Sequence, residues 1–184
     1  MGRVIAGMTM SLDGFVNDAD GDVGRLYADF AEFAGSERMA ATIAETGAVV
    51  MGRRTFEMAD PDSYVGQYEF QVPIFVVTTH PPAQQPKQDD RLTFTFVVDG
   101  VAAAIAKARE AAGERDVQIV GGPNVIQQAL RAGLVDELHV DVMPALLGCG
   151  LRLFDTPEAP QVSLSLQTIE QQGQRTGLRF TILR

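Results

Sequence analysis

Four short segments contain residue types that could bind a phosphorylated ligand. Glycine lets a backbone approach a ligand closely, and a planar guanidinium group can hold a phosphate through two hydrogen bonds. The start of a helix adds free N–H groups and the positive end of the helix dipole. Two of the four segments could therefore hold the phosphates of a dinucleotide. The segments are Gly52-Arg53-Arg54-Thr55, Thr78-Thr79, Gly121-Gly122-Pro123-Asn124 and Ser11-Leu12-Asp13-Gly14.

Each segment also has a purely structural interpretation. A Gly-Gly pair before a helix is typical of a tight turn, and Thr78-Thr79 can simply end a strand. Two arginines in the first turn of a helix can be solvated surface charges, but there they oppose the helix dipole, which favours an anionic partner. Asp13 either forms a turn before Gly14 or positions a substrate or a water molecule. Both interpretations of Asp13 remain open at this point.

Other chemistries have little support in the sequence. His80 and His139 are the only histidines and have no cysteine or histidine at metal-binding spacing, so no metal is expected. There is no P-loop or nucleophile elbow, and Gly148-Cys149-Gly150 lacks the full glycine fingerprint of a Rossmann domain. Hydride transfer fits what remains, because the cofactor carries that reaction and the protein supplies orientation and exclusion of water.

Length and charge restrict the class of protein. The chain has 184 residues, of which 46% are hydrophobic and 21% charged, which predicts a single globular domain over residues 1–184. The formal net charge of −9 repels phosphate backbones, so no nucleic-acid partner is expected. No apolar run is long enough to cross a membrane, and the single cysteine fits a reducing compartment. We therefore expect a cytoplasmic protein without a membrane partner.

Strand and helix patterns alternate along most of the chain. Leu138, Val140 and Val142 alternate with His139, Asp141 and Met143, which predicts a strand with two different faces. The order predicts an α/β fold with a mostly parallel central sheet, flanking helices and a C-terminal antiparallel hairpin. Such sheets bind ligands at the carboxyl ends of their strands. The other predicted strands are 3–8, 48–51, 73–79, 92–98, 117–120, 162–166 and 178–182, and the predicted helices are 36–47, 53–59, 101–112 and 123–133.

Several segments resemble those of a known enzyme family. MGRRTFE, VVTTHPP and VGGPNVIQQAL, followed by the strand-rich C-terminal segment, resemble the dihydrofolate reductase-like fold. MSLDG and DELHVDVMPALLGCGLRLF are more similar to the reductase domain of the bifunctional riboflavin-biosynthesis deaminase-reductase, and the similarity covers nearly the whole chain. The resemblance implies an NADPH-dependent reductase of a small heterocyclic substrate, similar to 5-amino-6-(5-phosphoribosylamino)uracil. The alternatives are a dihydrofolate or pterin reductase, or a catalytically inactive nucleotide-binding protein of the same fold.

The resemblance also implies roles for individual residues. Asp13 would be the catalytic residue, and Glu37 is at about the distance from Gly52 expected of the acid that dihydrofolate reductases carry. The other residues expected near the substrate and the nicotinamide ring are Ala6, Gly14, Phe15 and Val16. The residues expected to contact NADPH are Gly52, Arg53, Arg54, Thr55, Thr78, Thr79, Gly121, Gly122, Asn124 and Val125.

The resemblance further implies a homodimer. Its interface is expected near the strand at 138–142 and the segment 144–154. The outward face of that strand would carry His139, Asp141 and Met143, and His139 is interpreted as a strand-face or interface residue. The apolar Ala145-Leu146-Leu147 would otherwise form an exposed patch.

Overall fold

A computed structural model describes residues 2–154 and 161–183. Eight strands form one sheet in the order β4-β3-β2-β5-β1-β6-β8-β7. The strands are β1 (Val4–Ser11), β2 (Thr46–Gly52), β3 (Ile74–Val77), β4 (Phe94–Val97), β5 (Asp116–Ile119), β6 (Glu137–Met143), β7 (Ser163–Gln172) and β8 (Arg175–Leu183). The first six strands in this order run parallel to one another, whereas β8 and β7 are antiparallel to their neighbours. The predicted mostly parallel sheet and C-terminal antiparallel hairpin are confirmed. The predicted extent of 1–184 also includes residues 1, 155–160 and 184, which lie outside the described residues.

Six helices surround the sheet in the described residues. They are α1 (Phe30–Ala34), α2 (Glu37–Glu45), α3 (Arg53–Phe56), α4 (Tyr64–Gln67), α5 (Gly100–Ala112) and α6 (Pro123–Arg131). Helices α2, α3, α5 and α6 were predicted, although α3 ends at Phe56 rather than near residue 59. The short α1 and α4 were not predicted, because helices of one turn depend on tertiary packing rather than on local sequence. None of the helices within the described residues has the length and apolar character needed to cross a membrane.

The two faces of the sheet have separate cores. On one face, α5 and α6 pack Ile105 and Ile126 against sheet residues that include Val50 and Ile119. On the other face, Met39 of α2 and an aromatic cluster around Phe56 and Tyr64 cover β2, β3 and β4. Both faces of the parallel strands are therefore buried, as is usual for a parallel sheet.

Helix α2 begins as its sequence predicts. The Ser36 hydroxyl accepts a hydrogen bond from the Met39 backbone N–H at 3.1 Å and donates one to the carbonyl oxygen of Phe33 at 2.7 Å. This N-cap fixes the helix register, so that Met39 is buried and Arg38 projects along the sheet towards Asp141. The position of α2 therefore determines which side chains enter the region beside β1 and β6.

Candidate active-site cleft

A large cleft lies where the parallel strands end. Its volume is about 1760 Å³, and it extends from the ends of β2, β3 and β5 across β1 to β6. Pockets for one small ligand usually measure roughly 300–1,000 Å³. The cleft therefore has room for two ligands side by side, in the position that open parallel sheets commonly use for binding.

Two glycine-containing turns are joined at one side of the cleft. The Gly52 backbone N–H donates a hydrogen bond to the carbonyl oxygen of Gly121 at 2.9 Å. A side chain at Gly52 would place its Cβ 3.2 Å from Cγ2 of Val125, and one at Gly121 would be 3.2 Å from the Thr55 hydroxyl oxygen. Gly121 also has φ of 130°, which favours glycine. The sequence is therefore glycine here because α3, α6 and the two strand ends approach closely.

This side of the cleft fits the phosphates of a dinucleotide. Gly122 is the N-cap of α6 and provides no side-chain cap, so the start of that nine-residue helix opens into the cleft. The side chains of Arg53 and Arg54 are exposed there, and Arg53 pairs only loosely with Glu57, at 3.5 Å. Cationic groups and close-packed glycines at the start of α6 form a site suited to phosphate. Every predicted cofactor residue except Gly121 lines the cleft, and Gly121 is joined to it through Gly52.

The two threonines at the end of β3 also lie in the cleft. The Thr78 hydroxyl accepts a hydrogen bond from the His80 N–H at 3.0 Å and donates to the His80 carbonyl oxygen at 3.1 Å. Thr79 is exposed, and its hydroxyl contacts Nδ1 of His80 at 2.8 Å. Thr78 therefore holds the turn in shape, whereas Thr79 is the more accessible group for a ligand.

Asp13 holds a loop together instead of lining the cleft. Its carboxylate accepts hydrogen bonds from the Ser11 hydroxyl at 2.6 Å, from the Leu147 N–H at 3.1 Å and from the Gly148 N–H at 2.8 Å. The hydrogen bond from Ser11, with those from Gly148 and Leu147, lowers the pKa of Asp13 to about 2. A carboxylate with so low a pKa is a poor proton carrier near neutral pH. The geometry favours the turn interpretation over the catalytic one.

The predicted substrate residues have mixed positions. Val16 lines the cleft, whereas Ala6 is buried in the core on the α5 and α6 side, so its neighbour Gly7 faces the cleft instead. Gly14 and Phe15 belong to the loop, where the Phe15 ring packs under the guanidinium of Arg152 at 4.2 Å. Glu37 is exposed on the first turn of α2 and does not line the cleft. The prediction for Glu37 is therefore corrected, because the helix turns Arg38 rather than Glu37 towards the sheet.

A network of charged side chains forms the floor of the other half of the cleft. Asp141 of β6 accepts hydrogen bonds from Arg38 at 2.6 Å and from Arg179 at 3.0 Å. Arg38 also reaches Glu170 at 3.3 Å. A side chain at Gly177 would place its Cβ 2.5 Å from the Arg38 guanidinium, so this glycine makes room for the network.

Arg175 connects this network to the segment before α1. Its side chain is 0% exposed and donates to the Asp29 carboxylate at 2.7 and 3.0 Å, to the Thr9 hydroxyl at 2.8 Å and to the Leu26 carbonyl oxygen at 3.1 Å. It also pairs with Asp141 at 3.4 Å. A buried guanidinium with so many partners fixes the position of the loop relative to β1 and β6.

Uncharged polar groups lie between the two halves of the cleft. Gln118 and His139 line the floor on either side of Gly7, and a Cβ added at Gly7 would meet no atom within 4 Å. Burial, together with the positive charge of Arg179, lowers the pKa of His139, so its ring is neutral at neutral pH. This region offers open space over a strand, with an amide and an imidazole that can hydrogen-bond to a flat ring.

The strand alternation in the sequence contained a signal for this floor. Arg175, Gly177 and Arg179 alternate with Leu178 and Phe180, which places the three on the face opposite the apolar one. Glycine between two arginines inside a strand indicates close approach of another group. His139 and Asp141 were expected on an outward face near a dimer interface. They face the cleft instead, because α1 and α2 cover that side of the sheet.

No metal centre accompanies these residues. Within residues 2–154 and 161–183, no three His, Cys, Asp or Glu side chains are grouped so that they could hold a metal ion. Cys149 is an exposed free thiol in the loop that Asp13 holds.

Comparisons with known proteins agree with this geometry. The RibD C-terminal domain family matches residues 3–178. The chain is 25% identical over 178 residues to YwjB, an uncharacterised protein of Bacillus subtilis, with 97% of each chain covered. A solved structure from Shewanella sp. PV-4, a candidate riboflavin biosynthesis protein, has a TM-score of 0.79 and 24% identity and covers 99% of both chains. Dihydrofolate reductase from Enterococcus faecalis, solved with NADP(H) and RAB-propyl, has a TM-score of 0.58 and 15% identity, covering 98% of this chain and 96% of that one.

Proposed function

The chain belongs to the RibD C-terminal domain family, and from this premise we propose that it is an NADPH-dependent reductase of a small heterocyclic substrate. Family and fold support a reductase role. The observation that carries the proposal is the pair of turns joined through Gly52 and Gly121, with Arg53 and Arg54 exposed beside them and a separate polar floor in the same cleft.

The cofactor half of the cleft would hold the phosphates. Arg53, Arg54 and the Thr55 hydroxyl would contact them from the α3 side, and Gly122, Asn124 and Val125 would do so from the start of α6. The third phosphate of NADPH, which NADH lacks, is the natural partner for one of the two arginines. A reduced nicotinamide supplies hydride when bound, and the protein provides orientation and a site protected from water.

The substrate half would bind a flat heterocycle. Gly7 leaves space for a ring on the surface of β1, and Gln118 can both donate and accept hydrogen bonds. Neutral His139 donates from Nε2 to the Glu137 carboxylate at 3.0 Å, so its Nδ1 can accept a hydrogen bond from a ligand. These groups suit the amide-like edges of a pyrimidine or a pterin. The aminouracil of riboflavin biosynthesis is the first compound to test, and the folate alternative loses the support that Glu37 would have given.

The experiment combines binding with turnover. NADPH would be titrated by fluorescence, and its oxidation would then be followed with a panel of 5-amino-6-(5-phosphoribosylamino)uracil, dihydropterin, dihydrofolate and simple carbonyl compounds. Saturable binding with steady oxidation of NADPH by one member supports the proposal. Tight binding without turnover across the panel favours an inactive nucleotide-binding protein, and absence of binding contradicts the proposal. Glu110→Gln changes an exposed residue on α5 outside the cleft, so it should bind and oxidise NADPH as the wild type does.

We also propose that the protein forms a homodimer through the C-terminal hairpin. Leu164, Leu166 and Ile169 of β7 are 40%, 51% and 64% exposed. They pair with Ile182, Phe180 and Leu178 of β8, so all six side chains share one face of the sheet. This apolar strip continues the α5 and α6 side of the core beyond the helices. A second copy of the chain would cover it. The interface proposed from the structure therefore lies on the face of the sheet opposite His139, whereas the sequence led us to expect it on the His139 face of β6.

A further inference from the structure

Glu69 differs from the other carboxylates around the cleft. It lies in the cleft wall between α4 and β3 and is partly buried. In the part of the chain that the structure describes, no arginine, lysine or histidine forms an ion pair with it. Burial raises the pKa of Glu69, and the hydrogen bond from its own backbone N–H offsets that effect only in part. A partly desolvated carboxylate without a cation is unfavourable, so a ligand that carries positive charge would stabilise it.

Aromatic residues flank Glu69 in the sequence and line the cleft with it. The ring of Tyr68 is 4.9 Å from that of Tyr64 and 5.7 Å from that of Phe70, and all three residues line the cleft. Burial and then the negative charge of Glu69 raise the pKa of Tyr64 to about 12, and the same two causes raise that of Tyr68. Tyr64 is 4% exposed and stacks on Phe56, so the partly exposed Tyr68 is the ring that a ligand beside Glu69 would meet. Aromatic faces attract cations, and most strongly where water is excluded.

The nearby arginines form ion pairs with carboxylates other than Glu69. The Arg38 and Arg175 guanidinium groups lie 4.9 Å and 4.6 Å from the centre of the Phe33 ring. Their carboxylate partners are Asp141, Glu170 and Asp29. Within the described residues, these arginines therefore leave Glu69 without a cationic partner.

We propose that Glu69, beside Tyr68 in the cleft wall, forms a subsite for a protonated amino group of the substrate. The proposal rests on the proposed function in one respect, namely that this cleft is where the substrate binds. An ammonium group would donate charge-assisted hydrogen bonds to the Glu69 carboxylate. The substrate class that follows is a heterocycle with a basic amine at this end.

Three small probes of the same shape test the subsite. Benzylammonium, benzyl alcohol and benzoate would be titrated near neutral pH into the wild type, Glu69→Gln and the control Glu110→Gln, with chemical shifts of the protein as the readout. Because the carboxylate is partly exposed, we expect benzylammonium to bind about fivefold more tightly than benzyl alcohol, and benzoate most weakly. Glu69→Gln keeps the size of the side chain and removes its charge, so the preference should fall to about one, whereas Glu110→Gln should preserve it.

Three results would overturn the subsite. They are equal affinity of the wild type for benzylammonium and benzyl alcohol, a preference that persists in Glu69→Gln, and no binding of benzylammonium at all. The titrations contain no NADPH, so they separate this proposal from the reductase proposal. A protein that selects the amine but does not bind NADPH would refute only the proposed function, and a protein that binds NADPH without amine selectivity would refute only the subsite.

Discussion

The Gly52 backbone N–H donates to the carbonyl oxygen of Gly121 at 2.9 Å, which ties the end of β2 to the turn after β5. The contact favours glycine at both positions, because a Cβ at Gly52 would approach Val125 and one at Gly121 would approach Thr55, each at 3.2 Å. Four residues of the candidate cofactor site are therefore positioned by one backbone hydrogen bond and the space around it.

Gly121→Ala should destabilise the protein and weaken cofactor binding. Its φ of 130° suits glycine alone, which predicts a loss of about 1–3 kcal/mol in the free energy of unfolding. Gly133→Ala is the control, because Gly133 also has a positive φ, of 65°, but has no atom within 4 Å of an added Cβ. Both variants should unfold more easily in denaturant, but only Gly121→Ala should lose affinity for NADPH. Equal NADPH affinity in the two variants would show that the glycine turn does not contribute to cofactor binding.

Removing one of the paired arginines should reduce the preference for NADPH over NADH. Both side chains are exposed, which limits the expected loss of NADPH affinity to about tenfold, near the lower end for hydrogen bonds to charged groups. NADH affinity should change much less, and added salt should reduce the preference. The measurement is a pair of titrations, NADPH and NADH, on Arg53→Ala and on Arg54→Ala. Equal losses for both cofactors in both variants would mean that the arginines contact the shared pyrophosphate or serve only the fold.

The sequence predicts the sheet and the cofactor side better than the substrate side. Gly52-Arg53-Arg54 and Gly121-Gly122 are contiguous motifs at strand ends, where parallel topology brings them together. The floor is built from single residues of β1, β6, β8 and α2, and its contacts depend on helix position and strand register. The wrong prediction for Glu37 shows why such contacts are hard to predict from sequence. One position along a helix turns a side chain by about 100°, so that Arg38 rather than Glu37 faces the sheet.

Arg175→Ala should be among the most destabilising single changes in the chain. The side chain is fully buried, and its removal leaves Asp29, Thr9 and the Leu26 carbonyl without their donor. Removing one partner of a buried ion pair typically costs about 3–5 kcal/mol. Arg25→Ala, an exposed change in the same segment, should stay within about 0.5 kcal/mol of the wild type. Denaturant unfolding of both variants is the measurement, and similar stability for the two would contradict the role assigned to the buried arginine.

Asp13→Asn should remove a pH-dependent part of the stability. The pKa of Asp13 is lowered to about 2 in the folded protein from an ordinary value of 3.8, so its contribution is complete above pH 3.8 and is lost as the pH falls towards 2. The difference in Tm between wild type and variant should therefore be constant near neutral pH and shrink across this acid range. A difference that does not change with pH would show that the ionised carboxylate is not what holds the loop. Unchanged turnover with the true substrate would agree with a loop role rather than a catalytic one.

A lysine at Leu166 should break the proposed dimer. Leu166 pairs with Phe180 in the exposed apolar strip, and a buried unpaired charge would destabilise an interface formed there. Thr168 pairs with Arg179, which faces the other side of the sheet, so Thr168→Lys is the matched control on the same strand. Sedimentation at micromolar concentration should give a dimer for the wild type and Thr168→Lys and a monomer for Leu166→Lys. A monomeric wild type would refute the dimer, and a dimeric Leu166→Lys variant would show that the dimer interface lies outside this strip.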